Sequence, residues 1–383
     1  MLLARPNRFL VIVELEQGGR QIEAHCTDSG RLEDILVAGC RVLVVPQPGW
    51  QRGSQSGPPR RTAYTLVATE YRGHIIPLLS AAANAAMEAL VIRPRYPAAQ
   101  VRREYALGRT RLDFAVDDPD APHAPHLIEV KACTLVEHGV ALFPDAPTAR
   151  GQRQLRELQQ WPAASRTVLF AVMNPEDRVL VPNLHVDPAL SAALLAAAGQ
   201  VRTEAVALRV AADGRATVVG EVPVDVDRLT GLRMDSGCYL LTVELSTPTD
   251  LQVGALGTMR LAAGYYVYVG SALRNLWQRL SRHRRRRKRM HWHIDYLTTR
   301  TRFVTAHAVV SRARLECHAA RLIGAVATEE IAAFGSSDCG CTSRLFRFGH
   351  PPLQSAAFRA AVARLRHHDA WLTPSQLARE YGQ

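Results

Sequence analysis

Residues 127–135 read LIEVKACTL, an apolar run interrupted by one carboxylate and one lysine. Such a run is typical of a buried strand. Side chains alternate across a strand, so we expect Glu129 and Lys131 on one face and Ile128, Val130 and Ala132 on the other. Burying a charge is unfavourable unless the charge is paired or binds a metal. The stretch therefore holds either a structural ion pair or part of a functional site.

The strand predicted before this stretch, RLDFAVDD, supplies a second acid. Asp113 lies between Leu112 and Phe114, so it also faces away from the apolar side. Asp113 and Glu129 on neighbouring strands are suited to share a Mg²⁺ or Mn²⁺ ion with phosphate oxygens, because hard cations take oxygen ligands. Lys131 would orient or activate the attacking water and offset charge on the phosphate.

Two predicted helices extend this cleft. Asn84 and Glu88 are four residues apart on the preceding helix, which gives Glu88 a route to the same metal ion. The following helix, TARGQRQLREL, places Thr148, Arg150 and Gln152 where a DNA backbone would lie. The sequence therefore predicts a cleft that hydrolyses phosphodiester bonds with a divalent metal.

Length and composition favour a multidomain protein of the cytoplasm. A chain of 383 residues exceeds what one hydrophobic core usually supports, so two or three domains are expected. The longest apolar run, ALSAALLAAAG, is too short to cross a bilayer, and no membrane partner is expected. Arg5 and Arg8 interrupt the first residues before any long apolar segment, unlike a signal peptide. The 7 scattered cysteines indicate reduced thiols rather than a disulfide framework.

The net charge of +12 predicts a polyanionic partner, with nucleic acid ahead of anionic membrane. Arginine enrichment also accompanies GC-rich genomes, so clustering is more informative than the total. The densest cluster lies in RLSRHRRRRKRMHWHIDYL, where Arg284, Arg285, Arg286 and Arg287 are consecutive. We expect this run to contact phosphates, which gives affinity without sequence preference.

Further arginines are candidates for nucleic-acid contact. Arg31 follows the TDSG segment, whose alternative interpretation is an ordinary hairpin connection. Arg60 and Arg61 follow a Pro-rich loop, and their alternative is simple solvation, as for most exposed arginines.

The chain reads as three blocks and a tail. Residues 1–80 show short alternating runs separated by Gly, Pro and Ser, which favours a small all-β module such as an OB-like β-barrel. Residues 81–228 alternate helical and strand patterns, which indicates an α/β domain with a mixed sheet. After a polar, irregular stretch, a third block covers residues 232–372, and residues 373–383 form a tail.

Two features of the third block, its strand tyrosines and its cysteines, each have more than one interpretation. Its segments GCYLLTVEL and GYYVYVGSALRN predict strands with tyrosines near glycines, and strand tyrosines usually fill a core. Cys317, His318, Cys339 and Cys341 are soft ligands in the number that zinc takes. The Cys-x-Cys spacing is too close for half of a zinc finger and buried free cysteines are common, so the sequence favours free thiols, with zinc as the alternative.

The phrases HCTDSGRLEDIL, YALGRTRLDF, IEVKACTLV and GVALFPDAPTARGQRQLREL resemble the sugar fermentation stimulation protein (SfsA) family over about residues 1–225. The resemblance implies an OB-like domain that binds DNA, followed by a PD-(D/E)xK nuclease-like domain. It assigns Asp113, Glu129 and Lys131 to the acidic, acidic and basic positions of that motif, and Glu88 to its helix acid. Gln154 is a departure, since the family commonly has histidine there.

The third block resembles the GIY-YIG nuclease superfamily, an α+β fold, over about residues 235–349. The resemblance implies a tyrosine-assisted attack of water on phosphate with one hard cation. Two departures, Cys238 and a long gap between the motif halves, make the domain nuclease-like or only a binding domain. The resemblance assigns motif positions to Gly237, Tyr239, Tyr268, Val269, Gly270, Arg279, His283 and, as the metal-binding acid, Glu316.

The sequence thus predicts a DNA-binding, metal-dependent nuclease, with RNA as a further possible substrate and with the oligomeric state left open. The rival from another class is a non-catalytic DNA-binding regulator of gene expression. It is disfavoured because pure binding gains nothing from two acids that face phosphate. A third alternative is a structural ion pair in a protein that binds other proteins.

Overall fold

The computed structural model describes residues 1–367 except 29, 34, 48–61, 120–123, 138, 162–164, 177 and 338. The chain divides into two compact units, Met1–Thr230 and Gly231–Gln383. The contacts predicted for Arg60 and Arg61, and the tail predicted at 373–383, lie outside the described residues. None of the described helices is both long enough and apolar enough to cross a membrane.

The first unit begins with a six-stranded sheet in the order β1-β2-β3-β5-β4, with β6 paired to β5. Period-two alternation forms these strands, as in β3, where Ile22, Ala24 and Cys26 are buried between exposed neighbours. The strands are β1 (Leu2–Asn7), β2 (Leu10–Glu14), β3 (Gln21–Cys26), β4 (Val42–Pro46), β5 (Tyr64–Tyr71) and β6 (His74–Pro77).

A helical segment and a second, mixed sheet follow. The helix α1 (Ser80–Met87) continues through a π-helical turn, Glu88–Ile92, into α2 (Arg93–Arg95). The remaining elements of the unit are β7 (Gln100–Leu107), β8 (Thr110–Asp117), β9 (His126–Cys133), β10 (Val136–Glu137), β11 (Val140–Phe143), α3 (Ala149–Gln160), β12 (Ser165–Val172), β13 (Val179–Pro182), α4 (Pro188–Ala197), β14 (Arg202–Val210) and β15 (Ala216–Val222).

The mixed sheet has the order β15-β14-β12-β9-β8-β7, and β12 is parallel to both β9 and β14. Strands β10, β11 and β13 form a separate small sheet. The mixed sheet is the architecture predicted for this block, and the strand β9, which contains LIEVK, is one of its two central strands.

Strand β9 is packed on both faces. Ile128 and Val130 join a core that also contains Leu66 and Ile76 of the first sheet. On the other face, Leu127 joins a core that contains residues of α3 and α4. The boundary predicted at residue 80 therefore separates two sheets but not two hydrophobic cores, because one core runs across it.

The second unit has a five-stranded sheet in the order β20-β16-β19-β22-β21 and a hairpin, β17-β18. Helices α7 and α8 share its hydrophobic core. The elements are β16 (Gly237–Leu245), β17 (Thr249–Gln252), β18 (Thr258–Leu261), β19 (Gly264–Ala272), α5 (Leu276–Arg284), α6 (His293–Thr298), β20 (Arg302–Val310), α7 (Glu316–Gly324), β21 (Glu329–Glu330), β22 (Leu345–Phe348) and α8 (Ala356–Arg366).

Candidate active sites

Strands β8 and β9 of the mixed sheet separate where Asp113 and Glu129 lie. Backbone pairing of β8 with β9 runs from Val116 to Phe114 and stops there, although both strands continue. Beyond that point, the backbone N–H of Val130 donates to Asp113 Oδ2 at 2.8 Å. The N–H of Asp113 in turn points at Glu129 Oε2 at 3.4 Å. Side-chain carboxylates thus replace backbone carbonyls between the two strands, which places both acids at one opening.

Lys131 joins this pair of acids. Its Nζ lies 2.5 Å from Glu129 Oε1 and donates to Gln154 Oε1 at 3.0 Å. The contact confirms that Glu129 and Lys131 share one strand face. Gln154 comes from α3, and its amide nitrogen donates to the carbonyl oxygen of Arg111 at 3.3 Å. Gln154, the departure from the family pattern, therefore positions the lysine ammonium.

The two polar residues predicted to share a helix face, Asn84 and Glu88, have different partners. Asn84 Nδ2 donates to Asp113 Oδ1 at 2.7 Å. Glu88 instead accepts hydrogen bonds from Arg93 and Arg103, each at 2.6 Å. The backbone N–H of Glu88 still donates to the carbonyl oxygen of Asn84, so these two residues keep their α-helical spacing. The π-helical turn begins at Glu88 and ends at Arg93, which pairs with the Glu88 carboxylate. Among the described contacts, Asn84 reaches the acids, whereas Glu88 is held by two arginines.

The electrostatics of Asp113 and Glu129 favour a bound cation. Glu129 is 3% exposed, and burial raises its pKa to about 7, opposed by Lys131 and reinforced by Asp113. Burial also raises the pKa of Asp113, despite hydrogen bonds from Val130 and Asn84. A buried and a partly buried carboxylate face one lysine, so negative charge is incompletely compensated. Their oxygen donors fit Mg²⁺ or Mn²⁺, with the remaining ligands supplied by water or substrate phosphate.

A pocket with mostly apolar walls adjoins this site. No sequence pattern singles it out, because its walls come from segments that only the fold brings together. It is lined by Glu129, Lys131, Phe143, Gly151, Gln154, Leu155, Leu158, Val168, Phe170, Leu190 and Leu194. These apolar walls contribute to the desolvation of Glu129.

The residues predicted to lie along DNA divide into exposed and structural ones. Arg150 is exposed on α3. Thr148 caps α3 by accepting from the N–H of Gly151 at 3.0 Å, and its own N–H donates to Asp187 at 2.8 Å. Gln152 also donates to Asp187, at 3.0 Å. Thr148 and Gln152 are thus engaged within the fold.

Arg31 belongs to a turn that the protein itself stabilises. The N–H of Gly30 donates to Asp28 Oδ1 at 2.7 Å, and Arg5 donates to the carbonyl oxygens of Arg31 and Gly30. Asp145 packs against Gly30, and its Oδ2 is enclosed. Burial, reinforced by Asp28, raises the pKa of Asp145 to about 6. This acid pair was not predicted, because its members lie in distant loops.

In the second unit, the fold brings together Tyr239 of β16 and Tyr268 of β19. Their ring centroids are 6.4 Å apart, and both side chains are buried. The hydroxyl of Tyr239 lies 2.8 Å from His283 Nε2. Burial raises the pKa of Tyr239 well above its usual value and lowers that of His283 to about 4. At neutral pH both are therefore uncharged.

Arg279 and Glu316 meet at Ser271. Arg279 Nη1 donates to the carbonyl oxygen of Ser271 at 2.6 Å, and the Ser271 hydroxyl donates to Glu316 Oε2 at 2.6 Å. Glu316 Oε1 also lies 2.7 Å from Arg344 Nη1. The acid assigned to metal binding is thus paired with a buried arginine.

Part of the arginine run is structural, and the rest is exposed. Asp295, which is 0% exposed, accepts hydrogen bonds from Arg282 at 2.8 and 2.9 Å. Burial raises the pKa of Asp295, but the hydrogen bonds from Arg282 and from the Trp292 and His291 N–H groups outweigh this and lower it. The exposed arginine side chains of the run are those of Arg284, Arg285, Arg286, Arg287 and Arg289. The only sequence signal for Asp295 is its place in the first turn of α6, where an acid caps a helix.

Three family models match parts of the chain. Residues 3–78 match the SfsA N-terminal OB domain, and residues 78–214 match the sugar fermentation stimulation protein RE domain. Residues 238–367 match a domain of unknown function, DUF123. The OB-like prediction is confirmed, whereas the PD-(D/E)xK and GIY-YIG assignments stay predictions.

Relatives of the first unit include two sugar fermentation stimulation protein homologs. That of Moorella thermoacetica is 38% identical over 51% of this chain and 82% of its own length. That of Chloroflexus aurantiacus is 35% identical over 58% of this chain and 83% of its own. The solved structure of Pyrococcus furiosus SfsA in complex with Ca²⁺ has 25% identity and a TM-score of 0.50, covering 58% of this chain and 94% of the other.

Proposed function

Since the chain belongs to the sugar fermentation stimulation protein family, we propose that it is a DNA-binding nuclease that hydrolyses phosphodiester bonds with a divalent metal. One observation carries the proposal: the carboxylates of Asp113 and Glu129 lie together where β8 and β9 separate, with Lys131 Nζ 2.5 Å from Glu129. The relative from Pyrococcus furiosus was solved in complex with Ca²⁺, which supports the use of a divalent cation by this chain.

Each residue of the site has a distinct role in this proposal. A bound Mg²⁺ would polarise the phosphate and lower the pKa of a coordinated water. Asp113 and Glu129 would hold the ion, and Asn84 fixes the orientation of Asp113 through its 2.7 Å hydrogen bond. Lys131, held by Gln154, would orient the attacking water and stabilise charge that develops on phosphate oxygens. The adjoining apolar walls limit water and strengthen these interactions.

The test is a cleavage assay on single- and double-stranded DNA and RNA, with Mg²⁺, with Mn²⁺ and with chelator. We expect wild-type cleavage only with an ion, and we expect Asp113→Asn, Glu129→Gln and Lys131→Ala each to remove most turnover. Asp213→Asn is the matched control, because Asp213 is a half-exposed acid paired with Arg215 in a turn outside the site. Absence of ion-dependent cleavage on every substrate would contradict the proposal.

A second candidate function is non-catalytic DNA binding in gene regulation. The observation that favours it is the exposure of Arg285, Arg286 and Arg287, for which the described part of the chain offers no ion pair. Positive charge of this kind binds phosphate without turnover. Tight, salt-dependent DNA binding by a wild-type protein that shows no cleavage would favour this function.

A further inference from the structure

Three cysteine side chains converge in the second unit. Cys317 is the second residue of α7, and Cys339 and Cys341 lie in the loop before β22. Their Sγ atoms all lie within 4.8 Å of one another. In the described part of the chain, this is the one group of three or more His, Cys, Asp or Glu side chains with ligand atoms so close together.

Secondary structure brings these sulfurs together. Helix α7 packs against β19, and β22 pairs with the same strand, so the start of the helix meets the loop that leads into β22. Two backbone hydrogen bonds of 2.9 Å close that loop, from Ala333 to Thr342 and from Arg344 to Phe334. The convergence therefore follows from the fold and not from the rotamers of surface side chains. His318, which the sequence groups with these cysteines, is not one of the converging residues.

A buried arginine donates to two of the sulfurs. Arg344 is 1% exposed, and its Nη2 lies 3.0 Å from Cys339 Sγ and 3.5 Å from Cys317 Sγ. A neutral thiol is a weak acceptor, whereas a thiolate is a strong one. N–H groups that donate to the ligands are a typical outer shell of metal sites. The same guanidinium pairs with Glu316 through Nη1, and its Nη2 places an N–H donor against two sulfurs that are candidate ligands.

We propose that Cys317, Cys339 and Cys341 bind one zinc ion as thiolates. Tetrahedral zinc with Zn–S bonds of about 2.3 Å separates its sulfurs by about 3.8 Å, a spacing that small side-chain adjustments would reach here. Gly340, between two of the ligands, has open space around it, so the loop can adapt. Soft thiolates select zinc over Mg²⁺ or Ca²⁺. Three protein ligands leave the fourth position for water or another small donor.

The zinc ion would fix one wall of the site formed by Tyr239 and Tyr268, which is called the tyrosine site below. The loop that carries two of the ligands also carries Phe334, whose ring packs edge-on against Tyr268 at 6.3 Å. In the same loop, the N–H of Gly335 donates to His293 at 3.3 Å. Holding the loop to α7 would therefore keep Tyr268 in place. This inference concerns the second unit and does not depend on the nuclease activity proposed for the first.

The first test measures metal binding by the full-length, fully reduced protein after removal of metal. Titration with Zn²⁺ against a chromophoric chelator is expected to give one equivalent per chain. Titration with Co²⁺ as a spectroscopic substitute is expected to give the near-ultraviolet absorption of cobalt–thiolate bonds. No tight zinc binding by the reduced protein would overturn the proposal.

The variants Cys317→Ser, Cys339→Ser and Cys341→Ser are each expected to abolish the cobalt–thiolate absorption or weaken zinc binding by about 100-fold or more. Cys40→Ser is the matched control, because Cys40 is a free, partly exposed cysteine of the first unit. It is expected to keep one equivalent of zinc. Unchanged zinc binding in a triple variant with all three cysteines replaced by serine would overturn the proposal.

A second measurement uses only the wild-type protein, so its result does not depend on whether the cysteine variants fold. The reduced wild-type protein is alkylated with and without Zn²⁺, and the modified cysteines are identified by mass spectrometry. Zinc is expected to protect Cys317, Cys339 and Cys341 while Cys40 reacts equally in both samples. Equal alkylation of the three cysteines with and without zinc would contradict the site. The finding that two of the three form a disulfide, and that the protein binds no zinc after this disulfide is reduced, would also contradict it.

Discussion

At the scale of single residues, the contact of Glu129 with Lys131 has two physical interpretations. In a structural ion pair, loss of the acid leaves a partly buried lysine unpaired, which costs on the order of 3 kcal/mol. In a metal site, two carboxylates shielded from water are held close together for a cation, and without the cation their charge is unfavourable. Burial of Glu129 and the raised pKa that it causes favour the second interpretation.

Glu129→Gln is therefore expected to leave the melting temperature unchanged or higher in metal-free buffer at neutral pH. Added Mg²⁺ should raise the melting temperature of the wild type and not that of the variant, since only the native state offers both ligands. Lys131→Ala should lower nucleic-acid affinity, whereas Glu129→Gln should leave it level or raise it by removing charge that faces phosphate. Strong destabilisation by Glu129→Gln with no effect of Mg²⁺ would identify a structural ion pair.

Asp145 predicts a pH dependence of stability. Burial and Asp28 raise its pKa from 3.8 to about 6, with Arg5 opposing the shift. The folded state therefore binds this proton more tightly than the unfolded state. The stability that protonation provides is complete below the unfolded pKa and is lost as the pH rises through the folded pKa. The raised pKa of Asp28 acts in the same direction.

Melting temperatures of the wild type and Asp145→Asn, measured between about pH 4 and about pH 8, test this linkage. The wild type should lose stability relative to the variant as the pH rises to about 6, and the difference should then stay constant. The exposed Asp213, paired with Arg215, supplies the control variant Asp213→Asn. A difference between wild type and Asp145→Asn that does not change with pH would show that the enclosed carboxylate keeps an ordinary pKa.

At the scale of elements, the pairing of β16 with β19 explains one glycine of the tyrosine site. Gly270 lies directly opposite Tyr239 in this pair. A Cβ atom at Gly270 would lie 2.5 Å from both Cζ and the hydroxyl oxygen of Tyr239, and 2.9 Å from Tyr268. The glycine therefore makes the space in which the Tyr239 hydroxyl reaches His283.

Gly270→Ala is expected to lower the free energy of unfolding of the second unit by about 1–3 kcal/mol, the usual effect of overpacking. It should also perturb the environment of the Tyr239 hydroxyl, which tyrosine absorption reports. Gly349→Ala is the control, because nothing lies within 4 Å of the Cβ position there. Equal unfolding curves for the two variants in urea would contradict this account.

At the scale of the whole molecule, the net charge is +12, and the arginines that contribute to it differ in whether they are engaged within the fold. Arg282 is bound by the buried Asp295, and Arg284 stacks on Phe303 at 4.8 Å. Arg285, Arg286 and Arg287 remain exposed. The surface they form is the candidate for sequence-independent binding to phosphates.

Replacing Arg285, Arg286 and Arg287 with serine should weaken DNA binding equally across sequences. It should also reduce the slope of log affinity against log salt by about 0.9 for each phosphate that the variant no longer neutralises. A triple variant of Arg41, Arg215 and Arg260 is the control, because it removes equal charge from arginines that already pair with acids. A change of sequence preference in the first variant would reveal binding to bases instead.

Local patterns were sufficient to predict much of the architecture. Alternation placed Glu129 and Lys131 on one face of a buried strand, and the contact between their side chains confirms it. The OB-like domain at the start of the chain was also predicted from short alternating strands, and its family match confirms it. Such features depend on residues close in sequence, so strand periodicity is enough to reveal them.

The partners of each charged group were decided by tertiary structure. The sequence alone placed Glu88 beside Asn84, but in the fold its carboxylate pairs with Arg93 and with Arg103 of β7. The convergence of Cys317 with Cys339 and Cys341 depends on how a helix and a strand pack against the same sheet. The physical reason is that burial and pairing depend on contacts between distant segments, which local periodicity does not encode. The sequence by itself therefore determined the strands, the strand face on which each side chain lies, and which acids, lysine and cysteines are present. Only tertiary packing decided which of these side chains contact one another.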